Sequence, residues 1–382
     1  MALKEVDQRP IDQEADFLQI RAWDHIEFWV GNAKQAAYYY QHAWGFTPVA
    51  YSGLETGNRE YASWLLQQGN IRLVLSTPYH PNHAMSAHTM VHGDGVKAVS
   101  LQVDDARAAF EATVSRGAEA ALPPTEYHDE HGTLRMSAIK VYGDTIHRFV
   151  DRSDYNGFFM PTYRPIAGAD PKLSNAGIAA LDHVVGNVEL GKMNYWVNFY
   201  HAIMGFRQLI HYDDKDISTE YSALMSKVMQ NGNGRVKFPL NEPAEGRKKS
   251  QIEEYLDFYH GPGVQHLALA TGDILKTVDD LMKRGIEFLA PPPDAYYEDT
   301  PKRLSQFGIS IKEDIEQLAK YGILIDGDDE GYLLQIFSKP IQDRPTMFFE
   351  VIERHGAKGF GKGNFKALFE AIEREQDLRG NL

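Results

Sequence analysis

The sequence predicts an α+β protein of two tandem domains, each a curved mixed β-sheet with helices on its outer face. Three observations lead to this prediction. The chain of 382 residues repeats itself at long period, a segment rich in proline and glycine lies between the two copies, and each copy has the order strand, helix, several short strands, strand, helix and strand. A chain of this length also fits two or three domains.

The first repeated element is a strand followed by an amphipathic helix. Residues 23–27 and the aromatic-rich stretch that ends in Trp-Gly-Phe at 44–46 match residues 181–185 and the stretch that ends in Met-Gly-Phe at 204–206. In both copies the apolar spacing changes from strand-like to helix-like, and a glycine then stops the helix. Each copy is therefore expected to open with the same strand-helix unit.

The next repeated elements extend the match towards the end of each copy. Residues 93–101 match residues 261–269, and a helix-like stretch that ends in Arg-Gly follows in both. Further along, the apolar clusters at 146–160 correspond to those at 334–350. The alignment therefore predicts a common fold for the two copies.

Residues 161–178 are predicted to link the domains, because their prolines and glycines suit an extended connection better than a packed element. We therefore expect a first domain at 1–160, without a metal, and a second at 179–382. The tail beyond Glu350 has no counterpart in the first copy. It is expected to form a helix, since apolar residues recur at helical spacing from position 365 onward.

Composition excludes several classes of protein. The chain has no cysteine, which rules out disulfides, cysteine-ligated metals and thiol nucleophiles, so chemistry has to come from histidine, carboxylate or hydroxyl groups. A net charge of −14, with one short basic run at 247–249, argues against nucleic-acid binding. No stretch is apolar enough for a membrane span, and the N-terminus does not look like a signal peptide, so we expect a cytoplasmic protein with a small-molecule partner.

The copies differ at three positions that could carry metal chemistry. The second copy has two histidines and a carboxylate where the first has one histidine, a methyl group and a thioether. Two imidazoles and one carboxylate, with other positions open, form the ligand set that suits Fe(II) in oxygen-activating enzymes. The aligned pairs are His25 with His183, Ala98 with His266, and Met160 with Glu350.

The alternative is that these three side chains are ordinary buried or solvated groups, as each would be taken to be on its own. Glu350 counts against that interpretation, because it interrupts the apolar run 347–352, where a carboxylate needs a partner or a metal. Strand alternation is compatible with convergence of the three. It also predicts that Gln265 faces away from the side of the strand that carries His266.

Several segments of the second copy share the pattern of one known family. They are residues 181–188, 238–243, 249–252, 263–268, 333–337, 343–345, 348–350 and 359–365. Together they resemble the catalytic domain of the 4-hydroxyphenylpyruvate dioxygenase family, a member of the vicinal oxygen chelate superfamily. The resemblance covers nearly the whole chain. It implies two tandem vicinal-oxygen-chelate-type domains, a C-terminal helix that closes the active site, and a homo-oligomer, either a dimer or a tetramer.

The same resemblance implies a reaction. Fe(II) would be bound by His183, His266 and Glu350, and the substrate 4-hydroxyphenylpyruvate would bring its own 2-oxo acid to react with O2. Oxidative decarboxylation, ring hydroxylation and a side-chain shift would give homogentisate and CO2. That reaction is a step of tyrosine and phenylalanine catabolism.

The resemblance also assigns residues to the pocket. An uncharged amide and hydroxyl network suits a phenol, because it can donate or accept without burying a charge. Asn364 also stands where the N-cap of the C-terminal helix is expected. The residues expected to be catalytic, near the iron, are Gln265, Gln335 and Phe337. Those expected to bind substrate are Ser226, Asn241, Gln251, Phe348, Phe360, Asn364 and Phe365.

Three other functions stay open. Hydroxymandelate synthase is similar to this family and uses the same iron and substrate, but it hydroxylates the benzylic carbon; the bulky Phe337 favours attack on the ring. A metal-free binding protein could share the fold, because fold does not fix function. Extradiol ring cleavage can use the same ligand set, although an amide-bearing pocket lined by phenylalanine argues against it.

Two further motifs carry weaker signals. His80, His83, His88 and His92 crowd one segment, and the last two have the spacing to share a zinc ion on a helix. They are expected in an exposed loop and helix instead. The glycines within 359–363 lack the spacing of a phosphate loop and are expected to form a hinge before the C-terminal helix.

Overall fold

A computed structural model describes residues 16–172, 175–212, 223–244, 246 and 248–381. Within these residues the strands form two mixed sheets, one from each half of the chain. The strand order in each sheet departs from chain order, so crossover connections carry the helices. The predicted α+β class with two tandem domains is confirmed.

The first half contains both element types in alternation. Its strands are β1 (Ala22–Trp29), β2 (Thr47–Ser52), β3 (Tyr61–Gln68), β4 (Ile71–Pro78), β5 (Gly95–Gln102), β6 (Ala120–Asp129), β7 (Gly132–Lys140), β8 (Ile146–Tyr155) and β9 (Arg164–Pro165). Its helices are α1 (Ala33–His42), α2 (Ala84–His92) and α3 (Ala106–Ser115).

The second half follows the same plan and adds a C-terminal helix. Its strands are β10 (Ile178–Asn187), β11 (Arg207–Tyr212), β12 (Ala223–Gln230), β13 (Lys237–Ala244), β14 (Gly263–Thr271), β15 (Leu324–Asp328), β16 (Gly331–Phe337) and β17 (Phe348–His355). Its helices are α4 (Met193–Ala202), α5 (Gln251–Tyr259), α6 (Ile274–Lys283), α7 (Asp294–Ser305), α8 (Ile315–Tyr321) and α9 (Phe365–Arg379).

The two sheets have the same internal pairing. In the first, β1 runs parallel to β4 and antiparallel to β5, and β5 runs parallel to β8. In the second, β10 runs parallel to β13 and antiparallel to β14, and β14 runs parallel to β17. The repeated segments 23–46 and 181–206, and 93–101 and 261–269, therefore occupy equivalent places in the two sheets.

The strand register corrects one part of the predicted repeat. Ser100 lies opposite Arg148 in the first sheet, and Ala268 lies opposite Glu350 in the second. The counterpart of Glu350 is therefore Arg148, and the predicted pairing with Met160 is wrong. The predicted match of 146–160 with 334–350 is therefore wrong as a whole, since it pairs β8 with β16 and the turn after β8 with β17. Similar apolar clusters occur in all of these segments, so they did not fix the alignment.

The connection between the halves includes a short strand. Residues 164–165 form β9, which pairs with β2 at the edge of the first sheet, and β10 begins at residue 178. We keep 161–178 as the proposed linker between domains at 1–160 and 179–382, with this strand inside it.

Local sequence signals explain where the repeated helices begin and end. Asn32 caps α1 by accepting a hydrogen bond from the backbone N–H of Gln35, and Ser250 and Glu253 form a reciprocal capping box on α5. The glycines of the repeated Trp-Gly-Phe and Met-Gly-Phe sequences, Gly45 and Gly205, have φ angles of 75° and 70°. That left-handed conformation favours glycine and ends both helices as predicted.

The two halves share a continuous core. The ring centroid of Trp44 in the first half lies 4.5 Å from that of Phe349 in the second. The Nε2 atom of His147 on β8 lies 2.7 Å from the hydroxyl of Tyr200 on α4, and both residues are fully buried. In the described part of the chain, no helix has the combined length and apolar character needed to cross a bilayer.

The buried His147 at this interface should make the protein acid-sensitive. Burial lowers the pKa of His147 to about 3, whereas an unfolded histidine titrates near 6.5. Between those values the unfolded chain binds more protons, so the free energy of unfolding is highest above about pH 6.5 and falls as the pH drops towards 3. Replacing His147 by Phe removes this titration and flattens the acid limb of the profile.

Denaturant unfolding followed from pH 7.5 to pH 4.5 measures this effect. The His147→Phe variant should be about 1 to 2 kcal/mol less stable at pH 7.5, because the Tyr200 hydroxyl loses its partner, yet lose less stability on acidification than the parent. The exposed His131→Gln variant serves as control and should follow the parent curve. Parallel profiles for His147→Phe and the parent would contradict the prediction.

Candidate metal centre

Three neighbouring strands bring His183, His266 and Glu350 together. The Nε2 atom of His183 lies 3.1 Å from Oε2 of Glu350, and Nε2 of His266 lies 3.3 Å from the same oxygen. All three side chains are buried. The residues come from β10, β14 and β17, which are adjacent in the sheet, so residues far apart in sequence converge on one point.

The outer ring nitrogens of both histidines are occupied. Nδ1 of His183 lies 2.7 Å from a carboxylate oxygen of Asp182, and Nδ1 of His266 lies 3.0 Å from the amide oxygen of Gln265. Both partners can only accept, so we assign the ring proton to Nδ1 in each histidine. Each Nε2 then carries a lone pair directed towards Glu350. Three acceptors that face one another in a dry interior fit a divalent cation between them.

The protonation states agree with a cation site. Burial alone would raise the pKa of Glu350, but the facing imidazoles hold it at about 2. Burial opposes protonation of His183, yet Glu350 and Asp182 raise its pKa, whereas burial lowers the pKa of His266. The cluster therefore offers an ionised carboxylate beside a neutral imidazole, and metal binding needs deprotonated ligands of this kind.

A small cavity adjoins the three side chains. Its volume is about 60 Å³, and it is covered by Leu368 and Phe369 of α9. The remaining lining includes most of the residues that the sequence assigned to the pocket. These are Ser226, Asn241, Gln251, Gln265, Phe337, Phe348 and Phe360. Leu368 and Phe369 were not among the assigned residues, although the helical spacing of the tail had placed both on its apolar face.

The strand-alternation prediction for Gln265 is wrong, whereas its expected place near the metal ligands agrees with the structure. Gln265 lines the cavity beside His266 instead of facing away from it. The register between β10 and β14 shifts at this point, from Val185 opposite His266 to Gly186 opposite Val264. The extra residue is a β-bulge, which lets two consecutive side chains point to the same face.

Two assigned residues whose side chains the structure describes, Gln335 and Asn364, are absent from the cavity lining. Gln335 is buried, with its amide close to Gly361. Asn364 directly precedes α9 but does not cap it with its side chain; its amide oxygen accepts a hydrogen bond of 2.5 Å from the Tyr296 hydroxyl. Phe365 begins α9, and its side chain lies outside the described residues.

Comparisons with known proteins identify the family. Residues 16–162 match the family model described as hydroxyphenylpyruvate dioxygenase, N-terminal, and residues 180–301 match the glyoxalase/bleomycin resistance protein/dioxygenase superfamily. A 4-hydroxyphenylpyruvate dioxygenase of Tetrahymena thermophila is 44% identical over 98% of this chain and 95% of its own. One of Coccidioides posadasii is 47% identical over 97% of this chain and 96% of its own. The chain belongs to the 4-hydroxyphenylpyruvate dioxygenase family.

A solved structure extends the likeness. A triple mutant of 4-hydroxymandelate synthase from Streptomyces coelicolor is 30% identical, with a TM-score of 0.83, and the match covers 94% of this chain and 99% of that one. The family resemblance inferred from the segments of the second half is thus confirmed over the whole chain. Both predicted vicinal-oxygen-chelate-type domains are confirmed with it.

In the first half of this dioxygenase-family chain, the side chains at the equivalent position do not form a cluster of three acceptors. His25 also directs Nδ1 at a carboxylate, that of Asp24, at 2.6 Å. Its Nε2, however, faces hydrogen-bond donors: the Ser100 hydroxyl at 3.0 Å and a guanidinium nitrogen of Arg148 at 3.1 Å. Arg148 in turn pairs with Glu27. A fixed cation therefore stands where the second half has converging acceptors.

Two other clusters of the described residues could hold a metal by distance alone. His88, His92 and Asp144 meet in the first half, where the two histidines are buried and not exposed as predicted, because α2 packs on the second half through His92 and Tyr259. There Asp144 is exposed and lies beside the Lys97 ammonium group. The other cluster consists of Glu313, Glu353 and His355. Its imidazole lies within reach of both carboxylates, and a ring N–H can donate to them without a metal. Only the His183 cluster, among the described residues, is buried at all three ligands.

The difference between the halves leads to a prediction about metal binding. Removal of any one ligand should weaken Co²⁺ or Fe²⁺ binding by more than about 100-fold in the variants His183→Ala, His266→Ala and Glu350→Ala. The reason is that loss of a ligand costs more metal affinity than a change in the groups that hydrogen-bond to the ligands. His25→Ala should bind metal as the parent does. Equilibrium dialysis measures the affinity, and circular dichroism checks the fold. Loss of metal in His25→Ala, or retention in the other three, would refute the assignment.

Proposed function

We propose that the protein binds Fe(II) and converts 4-hydroxyphenylpyruvate and O2 into homogentisate and CO2, as a 4-hydroxyphenylpyruvate dioxygenase of tyrosine and phenylalanine catabolism. The observation that carries the proposal is the buried set of two histidines and one glutamate under the C-terminal helix. It stands in a chain that full-length relatives with this name match at 44% to 47% identity. The cytoplasmic location and the homo-oligomeric state, a dimer or tetramer, stay predictions.

His183, His266 and Glu350 would hold the iron. When bound, iron with this ligand set supplies Lewis-acid chemistry towards a chelating keto acid and redox chemistry towards O2. The single carboxylate offsets only one of its two positive charges, so the site keeps an attraction for the anionic end of a 2-oxo acid. Three protein ligands also leave room for the substrate to approach the same centre.

Aromatic side chains fix the ligands and keep the site dry. The ring of Phe348 stacks on His266 with centroids 4.8 Å apart, and the ring of Phe360 meets His183 edge to face at 4.9 Å. Phe337 packs against Phe348 on the same side. Charges developing at the reacting carbons would therefore be screened little by water.

The opposite side of the cavity offers uncharged polar groups to the phenol. Ser226 and Asn241 lie directly opposite each other on β12 and β13, and Gln251 begins α5 beside them in the lining. These groups can donate to or accept from a hydroxyl without placing a charge in an apolar wall. We propose that they orient the ring so that its substituted carbon faces the metal, next to Gln265 and Phe337.

Closure of the C-terminal helix follows from the size of the cavity. A volume of about 60 Å³ is far below the several hundred Å³ typical of small-molecule sites. An aromatic keto acid therefore enters only when Leu368 and Phe369 of α9 move away. We propose that α9 opens for substrate and closes to exclude water during turnover.

A second candidate function is hydroxymandelate synthesis from the same substrate. The structural likeness to 4-hydroxymandelate synthase from Streptomyces coelicolor favours keeping it. It differs in the carbon that is hydroxylated, so product identity separates the two. The higher identity of the relatives named as dioxygenases, 44% and 47% against 30%, favours ring hydroxylation.

Substrate turnover tests the proposal. The purified protein with added Fe(II) should consume one O2 and release one CO2 for each 4-hydroxyphenylpyruvate, and homogentisate should accumulate. Protein stripped by a chelator should be inactive until Fe(II) returns, and Glu350→Ala should stay inactive with Fe(II). Formation of 4-hydroxymandelate without homogentisate would reject the first function in favour of the second, and an absence of O2 uptake would reject both.

A further inference from the structure

We propose that Arg354 is a positioning residue that ties the metal ligand His183 and the base of the C-terminal helix into one unit. The inference rests on the proposed function, since it treats His183 as a ligand. Arg354 touches neither the cavity nor the three ligand atoms. It acts through two sets of contacts made by one guanidinium group.

The first set fixes the ligand. Nε and Nη2 of Arg354 donate to the two carboxylate oxygens of Asp182 at 2.7 and 2.9 Å. One of those oxygens accepts the Nδ1 proton of His183 at 2.7 Å. A bidentate pair fixes the plane of the carboxylate as well as its position. The orientation of the His183 ring, and so the direction of its Nε2 lone pair, is set through Asp182.

The second set anchors the chain that leads to α9. Nη1 of Arg354 donates to the backbone carbonyls of Ala357 and Gly359, at 3.2 and 2.6 Å. The guanidinium also lies over the ring of Phe360, 5.3 Å from its centroid, and that ring meets His183 edge to face. Five residues after Phe360, α9 begins. The group that orients the ligand therefore also holds the strand-to-helix connection.

The first half contains a copy of this unit. Arg152 pairs with both oxygens of Asp24 at 2.7 and 2.8 Å, and Asp24 accepts the Nδ1 proton of His25. Arg152 also donates to the backbone carbonyl of Phe159 and lies 5.1 Å from the centre of that ring, which meets His25 edge to face at 5.2 Å. The same four-residue arrangement has thus been duplicated with the fold.

A comparison of the two units distinguishes a purely structural role of the arginine from a positioning role. His25 faces Arg148 and Ser100 rather than a cluster of acceptors, so the first unit has no metal ligand to orient. If the arginine only stabilises the fold, equivalent substitutions in the two halves should have equivalent effects. If Arg354 positions a ligand and anchors α9, only its own substitution should change metal binding and the accessibility of the C-terminal segment.

The experiment compares Arg354→Lys with Arg152→Lys in the full-length protein. Lysine keeps the charge but has no planar fork, so it cannot make the bidentate pair and the carbonyl contacts together. We expect Arg354→Lys to bind Co²⁺ about 10- to 100-fold more weakly, with an altered visible spectrum of the bound Co²⁺, and to be cleaved faster after residue 357 in limited proteolysis. Arg152→Lys should match the parent in all three measurements.

Two outcomes would overturn the proposal. One is equal Co²⁺ affinity and equal proteolysis of the two lysine variants; the other is a loss of affinity in both. Should Arg354→Lys not fold, Asp182→Asn and its counterpart Asp24→Asn repeat the comparison of affinity with nearly isosteric changes, and equal affinities would again overturn it. Failure of the parent to bind Co²⁺ at all would instead refute the metal site itself, so the two failures are distinguishable.

Discussion

The convergence of three hydrogen-bond acceptors in a dry interior is the constraint that the second half of the molecule is built around. Two imidazole lone pairs and a carboxylate oxygen meet within 3.1 and 3.3 Å, away from the water that would otherwise solvate them. Such a group is stable only with a positive charge among its members, because burying an uncompensated carboxylate is costly. The surrounding features serve this arrangement: Asp182 and Gln265 hold the ring protons on the outer nitrogens, and aromatic rings exclude solvent.

The first half also buries a carboxylate near a histidine, but a side chain of the protein balances its charge. The guanidinium of Arg148 supplies a permanent cation between His25 and Glu27, where the second half has Glu350 and a site that could hold an exchangeable cation. A covalently attached charge stabilises the fold under all conditions but can bind no substrate. A bound ion with open positions could, so two side-chain differences at equivalent points of the two sheets, Ala98 against His266 and Arg148 against Glu350, distinguish the first half from the candidate metal site of the second.

Much of this could be predicted from the sequence, and the failures have physical causes. The ligand histidines emerged from comparing the copies, since strand alternation and the repeated Asp-His pair were both visible. The alignment failed at Glu350, whose counterpart is Arg148, because apolar clusters do not fix strand register. Gln265 was placed on the wrong face because a β-bulge breaks the period of two. The repeated arginines lie four residues beyond those two positions, so the same misalignment hid the duplicated unit.

The position of Gly361 reconciles a rigid metal site with the proposed opening of α9. The contacts of Arg354 end at Gly359 and Phe360, whereas α9 begins only at residue 365. Between them stands Gly361, with a φ of 77° and with the Gln335 amide so close that a Cβ would lie 2.6 Å from it. Only glycine fits that backbone and that approach. Gly361 lies beyond the anchor, and so does Gly363. Rotation there would lift Leu368 and Phe369 from the cavity while the guanidinium kept Asp182, and with it the ring of His183, in place.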